Sequence, residues 1–364
     1  MRLKRLYIRG LRCLHEVDIQ LSPGVNVFVG DNGAGKTSVL EAAYLLSHGR
    51  SFRSGHKDAL TRRGDSRMEL FAEVQTRQDE AGHSKVGLGR EGGRWEARVD
   101  GVDASLGDLV LNCPVVCFSP GSHALVSGAA EERRRFLDWG LFHVEHAFLL
   151  DWRRYQRALK QRNALLRSSN RNDDRLYQPW EHELAMCGEA INHYRRAYVE
   201  SLRQPLATVV AALLPELGAV SLSYQQGWPE QQSLLEQLAL ARERDAIRGH
   251  TRHGIHRSDL GIAFEHAPGK EYFSRGQEKL VALSLYLAQC LQFKQVKKEW
   301  PVFCLDDLAS ELDDRHQQAL WTLLAEHDQQ ILVTGTHPPS GAGWPQTRMF
   351  HVEHGAVTAA ESRN

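Results

Sequence analysis

The apolar run Val25-Asn26-Val27-Phe28-Val29 leads directly into Gly30-Asp31-Asn32-Gly33-Ala34-Gly35-Lys36-Thr37, followed by Ser38-Val39-Leu40-Glu41. This is a strand, a glycine-rich octet and the start of a helix, the context in which such an octet cradles phosphate. Glycines at 30, 33 and 35 let backbone N–H groups close around phosphate oxygens. Lys36 brings a point charge to the β- and γ-phosphates, and Thr37 offers a hydroxyl to Mg²⁺. The helix N-terminus faces the anion. The loop from Gly30 through Asp31, Asn32, Gly33, Ala34, Gly35, Lys36, Thr37 and Ser38 is therefore expected to bind a nucleoside triphosphate, with ATP and Mg²⁺ as cofactors.

The C-terminal third adds the other groups such a site needs. Pro301-Val302-Phe303-Cys304-Leu305 is an apolar strand ending in Asp306 and Asp307. Asp306 is expected to hold Mg²⁺, usually through water, and Asp307 to orient or deprotonate the attacking water. Phe273-Ser274-Arg275-Gly276-Gln277 opens an apolar helix, and a serine there is first of all a cap. Ser-x-Gly-Gln also resembles the signature motif of ABC-type ATPases, the SMC family included. The order of phosphate loop, signature, acidic strand, Ser310-Glu311-Leu312-Asp313 and the polar strand end Thr334-Gly335-Thr336-His337 matches those proteins. That resemblance implies a head-to-tail homodimer in which one copy's Ser274, Gly276 and Gln277 close over the triphosphate held by the other. Asp313 is assigned to the same composite site, and either Thr336 or His337 could sense the γ-phosphate. Asp307 is one methylene shorter than the Glu of many relatives, so turnover is expected to be slow, and the resemblance implies a weak DNA-stimulated ATPase used as a switch.

These groups require elements to carry them. Strands are expected at 3–9, 16–21, 25–29, 69–75, 85–90, 94–99 and 115–118, with a turn at Asp79–Gly82 and a helix over 36–47. From Glu131 to about Arg248 the text is rich in Leu, Ala, Gln, Glu and Arg at helical spacing, interrupted by Pro179, Pro205, Pro215 and Pro229. Strands near 259–265, at 302–305 and at 331–334 alternate with helices at 277–294 and 315–327. The expected division is 1–130 and 251–364 as two parts of one α/β head, with 131–250 as an inserted compact helical arm. The chain has 364 residues, 42% of them apolar and 25% charged, which suits a globular protein of two domains. Its zero net charge argues against a uniformly basic nucleic-acid binder and leaves room for a local basic patch. No apolar stretch reaches transmembrane length, so a cytoplasmic protein without a membrane partner is expected. Cys13 and Cys304 sit in strand-like apolar text and are expected as buried thiols. The repeated His-Val-Glu-His at 143–146 and 351–354 has no evident further ligands for a metal.

The interval from Gly30 to Ser274 spans 244 residues, longer than the compact insert expected of a transporter subunit. The insert also lacks the heptads of a long SMC coiled coil. Along nearly its whole length the chain resembles the RecF family of bacterial DNA-repair proteins. The carriers of the resemblance are Arg12 in Ile8-Arg9-Gly10-Leu11-Arg12, the segment Glu41–Arg53, Phe118-Ser119-Pro120, Arg133-Arg134-Arg135-Phe136-Leu137-Asp138 and Thr251–Arg257. Departures are Gly121 where an acid is expected, Ile255 in place of Pro and Ser258 in place of an acid. The resemblance implies an ABC-type (SMC-like) P-loop ATPase head with an inserted α-helical arm, and Arg12 directed to the nucleotide. It further implies ATP-dependent binding at single-strand gaps and junctions of single- and double-stranded DNA. Cooperation with RecR and RecO and help in loading the RecA recombinase belong to the same expectation. Residues 151–175 carry eight Arg or Lys against three acids, which reads either as a solvated helical face or as a contact to DNA phosphates. An SMC-like ATPase with a different DNA-related or defence partner would share the same nucleotide residues.

Overall fold

A computed structural model describes residues 1–53, 60–76, 83–168, 173–338 and 346–360. The turn at Asp79–Gly82 and Arg171 lie outside them. The chain folds as two compact units, the first built from 1–123, 208–215 and 274–364 and the second from 124–207 and 216–273.

In the first unit, β1 (Arg2–Leu11) and β2 (Leu14–Gln20) form a hairpin, followed by β3 (Val25–Val29), α1 (Lys36–His48), β4 (Arg67–Gln75), β5 (Ser84–Glu91), β6 (Arg94–Val99), β7 (Val102–Ala104), α2 (Leu106–Asn112) and β8 (Val115–Phe118). The second unit holds α3 (Ala124–Ser127), α4 (Ala130–Val144), α5 (Phe148–Leu166), most of α6 (Gln178–Leu213), β9 (Val220–Gln225), α7 (Leu234–Leu240), α8 (Arg242–Arg248) and β10 (Asp259–Phe264). The first unit resumes with α9 (Arg275–Lys297), β11 (Val302–Leu305), α10 (Leu308–Glu311), α11 (Asp314–Ala325), β12 (Ile331–Gly335), β13 (Arg348–Glu353) and β14 (Ala356–Ala359).

Two six-stranded sheets make the first unit. One is antiparallel, in the order β2-β1-β4-β5-β6-β7. The other runs β14-β13-β3-β12-β11-β8, parallel except for β14 on its edge. Every residue of β3, β8 and β11 is buried, the continuous apolar text of strands covered on both faces. Helix α1 packs against strands of both sheets and is buried around most of its circumference, so Val39, Leu40, Ala43 and Leu46 join a core drawn from the two sheets. Phe28 of β3 stacks on Phe350 of β13 with ring centroids 4.9 Å apart.

Several expectations need correction. Strand β9 lies inside the stretch expected to be helical. It pairs with β10 from Asp259↔Gln225 to Phe264↔Val220, which ties residues beyond 250 into the second unit. That pairing moves the end of the unit from 250 to Phe273, and its start lies at Ala124 in place of 131. Pro179 and Pro205 do not interrupt α6. Pro179 is its second residue, where the missing N–H has no intrahelical partner. Pro205 sits in its interior and leaves the 36-residue helix unbroken. Cys13 lies in the β1–β2 turn, and is exposed where a buried thiol was expected. Residues 351–354 are the end of β13 and a turn, so their histidines share no helical face.

Ionic knots hold the second unit. Arg162 of α5 is fully buried and donates to Glu181 Oε1 at 3.1 Å, Asp245 Oδ2 at 2.8 Å, Thr251 Oγ1 at 2.8 Å and the Leu238 carbonyl at 3.0 Å. The Arg133–Arg135 run is structural as well. Arg133 makes a two-pronged pair with Asp259 (2.7 and 3.0 Å), Arg134 donates to the Ser258 carbonyl, and Arg135 pairs with Glu131 and Glu132. Arg195 donates to Asp138, the Ile255 carbonyl and Ser258 Oγ.

His256 is wedged in the same unit. Its Nε2 faces the Thr251 carbonyl at 3.0 Å and must donate, so Nδ1 accepts from the Tyr155 hydroxyl at 2.7 Å. Burial pushes the imidazole down to about 4. The unfolded chain then takes up the proton first, and stability is lost as pH falls from about 6.5 to about 4. The full shift corresponds to roughly 3 kcal/mol. Urea titrations at pH 7.5 and 5.0 should show roughly 2 kcal/mol of this loss, and His256→Gln should flatten it; an equal pH slope in the variant would reject the assignment.

Candidate nucleotide site

The C-terminal edge of the parallel sheet brings distant residues together, the usual place for a ligand in such sheets. Strand β12 lies between β3 and β11, with Gly335 opposite Val29 and Val333 opposite Leu305. The phosphate loop leaves β3, the acidic pair leaves β11, and Thr334 is the last residue but one of β12 between them. Asp306 Oδ1 accepts from Thr37 Oγ1 at 2.9 Å and from Thr334 Oγ1 at 2.8 Å. Thr334 Oγ1 in turn accepts the backbone N–H of Asp307 at 2.8 Å. Asp306 is 3% exposed, and burial pushes its carboxyl up, opposed by the hydrogen bonds from Thr334 and Thr37. A hydroxyl and a carboxylate converging at hydrogen-bond distance form a hard-oxygen donor set that fits Mg²⁺.

The glycines of the loop answer two constraints. A Cβ on Gly30 would lie 2.1 Å from the Val352 carbonyl of β13, so this position is fixed by the strand behind it. Gly33 and Gly35 adopt φ of 84° and 119°, which other residues rarely reach. Lys36 Nζ donates to the carbonyls of Gly30 at 2.7 Å and Asp31 at 2.9 Å. The Ala34 carbonyl accepts the N–H of Gly355 at 2.9 Å, and Ser38 N–H donates to Gly35. The β13–β14 turn thus braces the loop from behind. Sequence reading missed this hairpin, although Arg348–Glu353 alternates and His354-Gly355, both at positive φ, form a hairpin-type turn.

The loop opens on a cleft of about 720 Å³ whose lining includes Asn32, Gly33, Gly35, Lys36, Thr37 and Ser38. Arg12, Arg53 and Arg63 add three more cations to its wall, and Cys13, Thr61, Thr334 and Asp307 complete it. A polyphosphate is the chemistry this lining suits. Arg12 reaches the cleft while its guanidinium is paired with Glu41 of α1. Asp307 takes a left-handed conformation, φ 53°, and its Oδ2 accepts from Ser310 Oγ at 2.6 Å. Backbone strain of this sort concentrates at functional positions.

The remaining expected residues lie elsewhere in the first unit. Ser274 caps α9, with its Oγ accepting from Gln277 N–H at 3.2 Å and its N–H donating to Gln277 Oε1 at 2.9 Å. Ser274 and Gly276 are exposed, and neither they nor Gln277 line the cleft. Asp313 caps α11 by accepting from His316 N–H, which holds its carboxyl below the usual range. Thr336 and His337 are exposed and lie hydrogen-bonded to each other at 3.1 Å. Sequence reading also left Thr61, Arg63 and the bridging hydroxyl of Thr334 unassigned.

The model of the RecF/RecN/SMC N-terminal domain matches residues 2–355. The "DNA replication and repair protein RecF" of Xanthomonas euvesicatoria pv. vesicatoria is 47% identical over 98% of this chain and 98% of its own length. A solved structure described as the recombination mediator protein RecF-ATPrS in the RecFOR pathway matches at a TM-score of 0.85, with 25% identity and 98% of each chain covered. An Smc head domain from Pyrococcus furiosus shares the fold at a TM-score of 0.59 and 16% identity, covering 98% of this chain and 95% of its own. The expected SMC-like ATPase head is therefore the observed fold. No helix among the described residues is long and apolar enough to cross a membrane.

Proposed function

Because the chain belongs to the RecF family, we propose that it is an ATP-dependent DNA-binding protein of recombinational repair and replication-fork maintenance, acting in the cytoplasm. The observation that carries the ATP part is the Thr37–Asp306 contact, which joins the phosphate loop to the acidic strand across 269 residues of sequence. In this reading Lys36 and the loop N–H groups hold the β- and γ-phosphates, and Thr37 and Asp306 hold Mg²⁺. Bound there, the cation would neutralise charge on the phosphates. Asp307, oriented by Ser310, positions the attacking water. Ser274 and Gly276 are exposed on α9, which leaves them open to a second copy. ATP then favours a head-to-tail homodimer by binding it better than the monomer, and slow hydrolysis releases it. The action at single-strand gaps and strand junctions, the work with RecR and RecO and the help in loading RecA are proposed by analogy with the family.

For DNA, α5 offers the surface. Of its expected basic residues, Arg154 pairs with Glu183 at 2.6 Å and Arg162 is buried. Arg153, Arg157, Lys160 and Arg167 are exposed at spacings of four, three and seven, which places them along one face. Binding to a gapped duplex should be tight with ATP and weak with ADP or without nucleotide; indifference to nucleotide would reject the clamp. Arg157→Glu/Lys160→Glu should weaken binding about tenfold or more at any sequence and flatten the log–log salt dependence by about 2. An unchanged salt slope would exclude α5 as the footprint.

A further inference from the structure

Glu41 is a fully buried carboxylate on α1, five residues beyond Lys36, and the nucleotide chemistry assigns it no task. Its Oε1 accepts Arg12 Nη2 at 2.7 Å and its Oε2 accepts Arg12 Nε at 3.0 Å. The Ser51 hydroxyl donates to Oε1, and Arg53 Nη1 lies 3.7 Å from Oε2. Arg12 and Arg53 line the nucleotide cleft, whereas Glu41 does not. Two cleft cations from separate segments thus converge on one anion beneath the wall.

We propose that Glu41 is a positioning residue that sets Arg12 and Arg53 at the angle from which they meet the nucleotide. The proposal rests on the reading of the cleft as an ATP site. Burying a carboxylate is costly unless it is paired, and an apolar residue would fill the space more cheaply. The pairing restrains two long side chains that would otherwise lose rotamer freedom on binding the ligand. Arg12 is held at its backbone too, with φ of 55° and its N–H on the Leu60 carbonyl at 2.8 Å. Electrostatics alone would act in the opposite sense. A carboxylate near a polyphosphate repels it, so simple removal of the charge would tighten binding. The sign of the effect therefore separates positioning from charge.

Calorimetric titration of the full chain with MgATP gives the test. Glu41→Gln should weaken ATP binding about tenfold, the scale of one lost charge-assisted interaction. Glu41→Asp retains the charge but withdraws it, and should fall between Gln and wild type. In an Arg12→Ala/Arg53→Ala background, Glu41→Gln should change affinity less than about twofold, because the groups it acts through are gone. Unchanged or tighter binding in Glu41→Gln overturns the proposal. So does a full loss in the doubly substituted background, which would assign Glu41 to the fold alone. A wild type that fails to bind ATP would overturn the ATP reading itself, and this proposal with it.

Discussion

Lys36→Met should lower the affinity for ATP about a hundredfold or more, equivalent to roughly 3 kcal/mol, while leaving the folded structure intact. The bonds seen for Lys36 Nζ are to the Gly30 and Asp31 carbonyls, so the ammonium is held within the loop and not in the core. Its loss removes the point charge proposed to meet the β- and γ-phosphates. Lys36→Arg is not a mild change, since a planar five-donor fork does not fit where a compact ammonium sits between two carbonyls. Either variant should bind a gapped duplex equally with ATP, ADP or no nucleotide. Retention of wild-type ATP affinity by Lys36→Met would remove the phosphate loop from the mechanism.

Arg162→Met should destabilise the second unit by about 3–5 kcal/mol, read as a lower urea midpoint by circular dichroism. The reason lies in what remains behind. Glu181 keeps Arg242, which donates to it at 2.6 and 3.2 Å, but Asp245 is fully buried and loses its ion pair. The companion change Asp245→Asn should therefore recover a substantial part of the loss, because a neutral amide is far cheaper to bury than an unpaired charge. A loss under about 1 kcal/mol for Arg162→Met alone would mean that water reaches Asp245, and the buried-pair account would fail.

What could be read in the sequence was what is written contiguously. Gly30–Thr37 and Val302–Asp307 announce themselves because strand, turn chemistry and functional group occupy one short window. Thr334 could not be read this way. Its bridging role depends on β12 lying between β3 and β11, and strand order is not local information. Glu41 does not stand out in the sequence, since a lone Glu on a helix is ordinarily a solvated residue and its burial depends on Arg12 and Arg53 meeting above it. Pro205 misled for the opposite reason: a local rule says a helix should stop, and the packing of α6 overrides it. The β9–β10 pair was lost because Val220–Gln225 is too short to stand out from helical text on either side. Residues 251–273 then looked attached to the wrong unit.

The neighbours of β3 carry a consequence for how the protein is made. This strand leads into the phosphate loop, yet both strands that flank it, β12 and β13, are encoded about 300 residues later. At ~5–20 residues per second, a ribosome needs roughly 15–60 s to supply them. Throughout that interval Val25–Val29 is an apolar strand with both edges unpaired, the kind of segment that invites association with other chains. The second unit, by contrast, has all its residues by Phe273. The nucleotide site is thus begun first and finished last, and a nascent chain carries this strand unpaired while its arm can already fold.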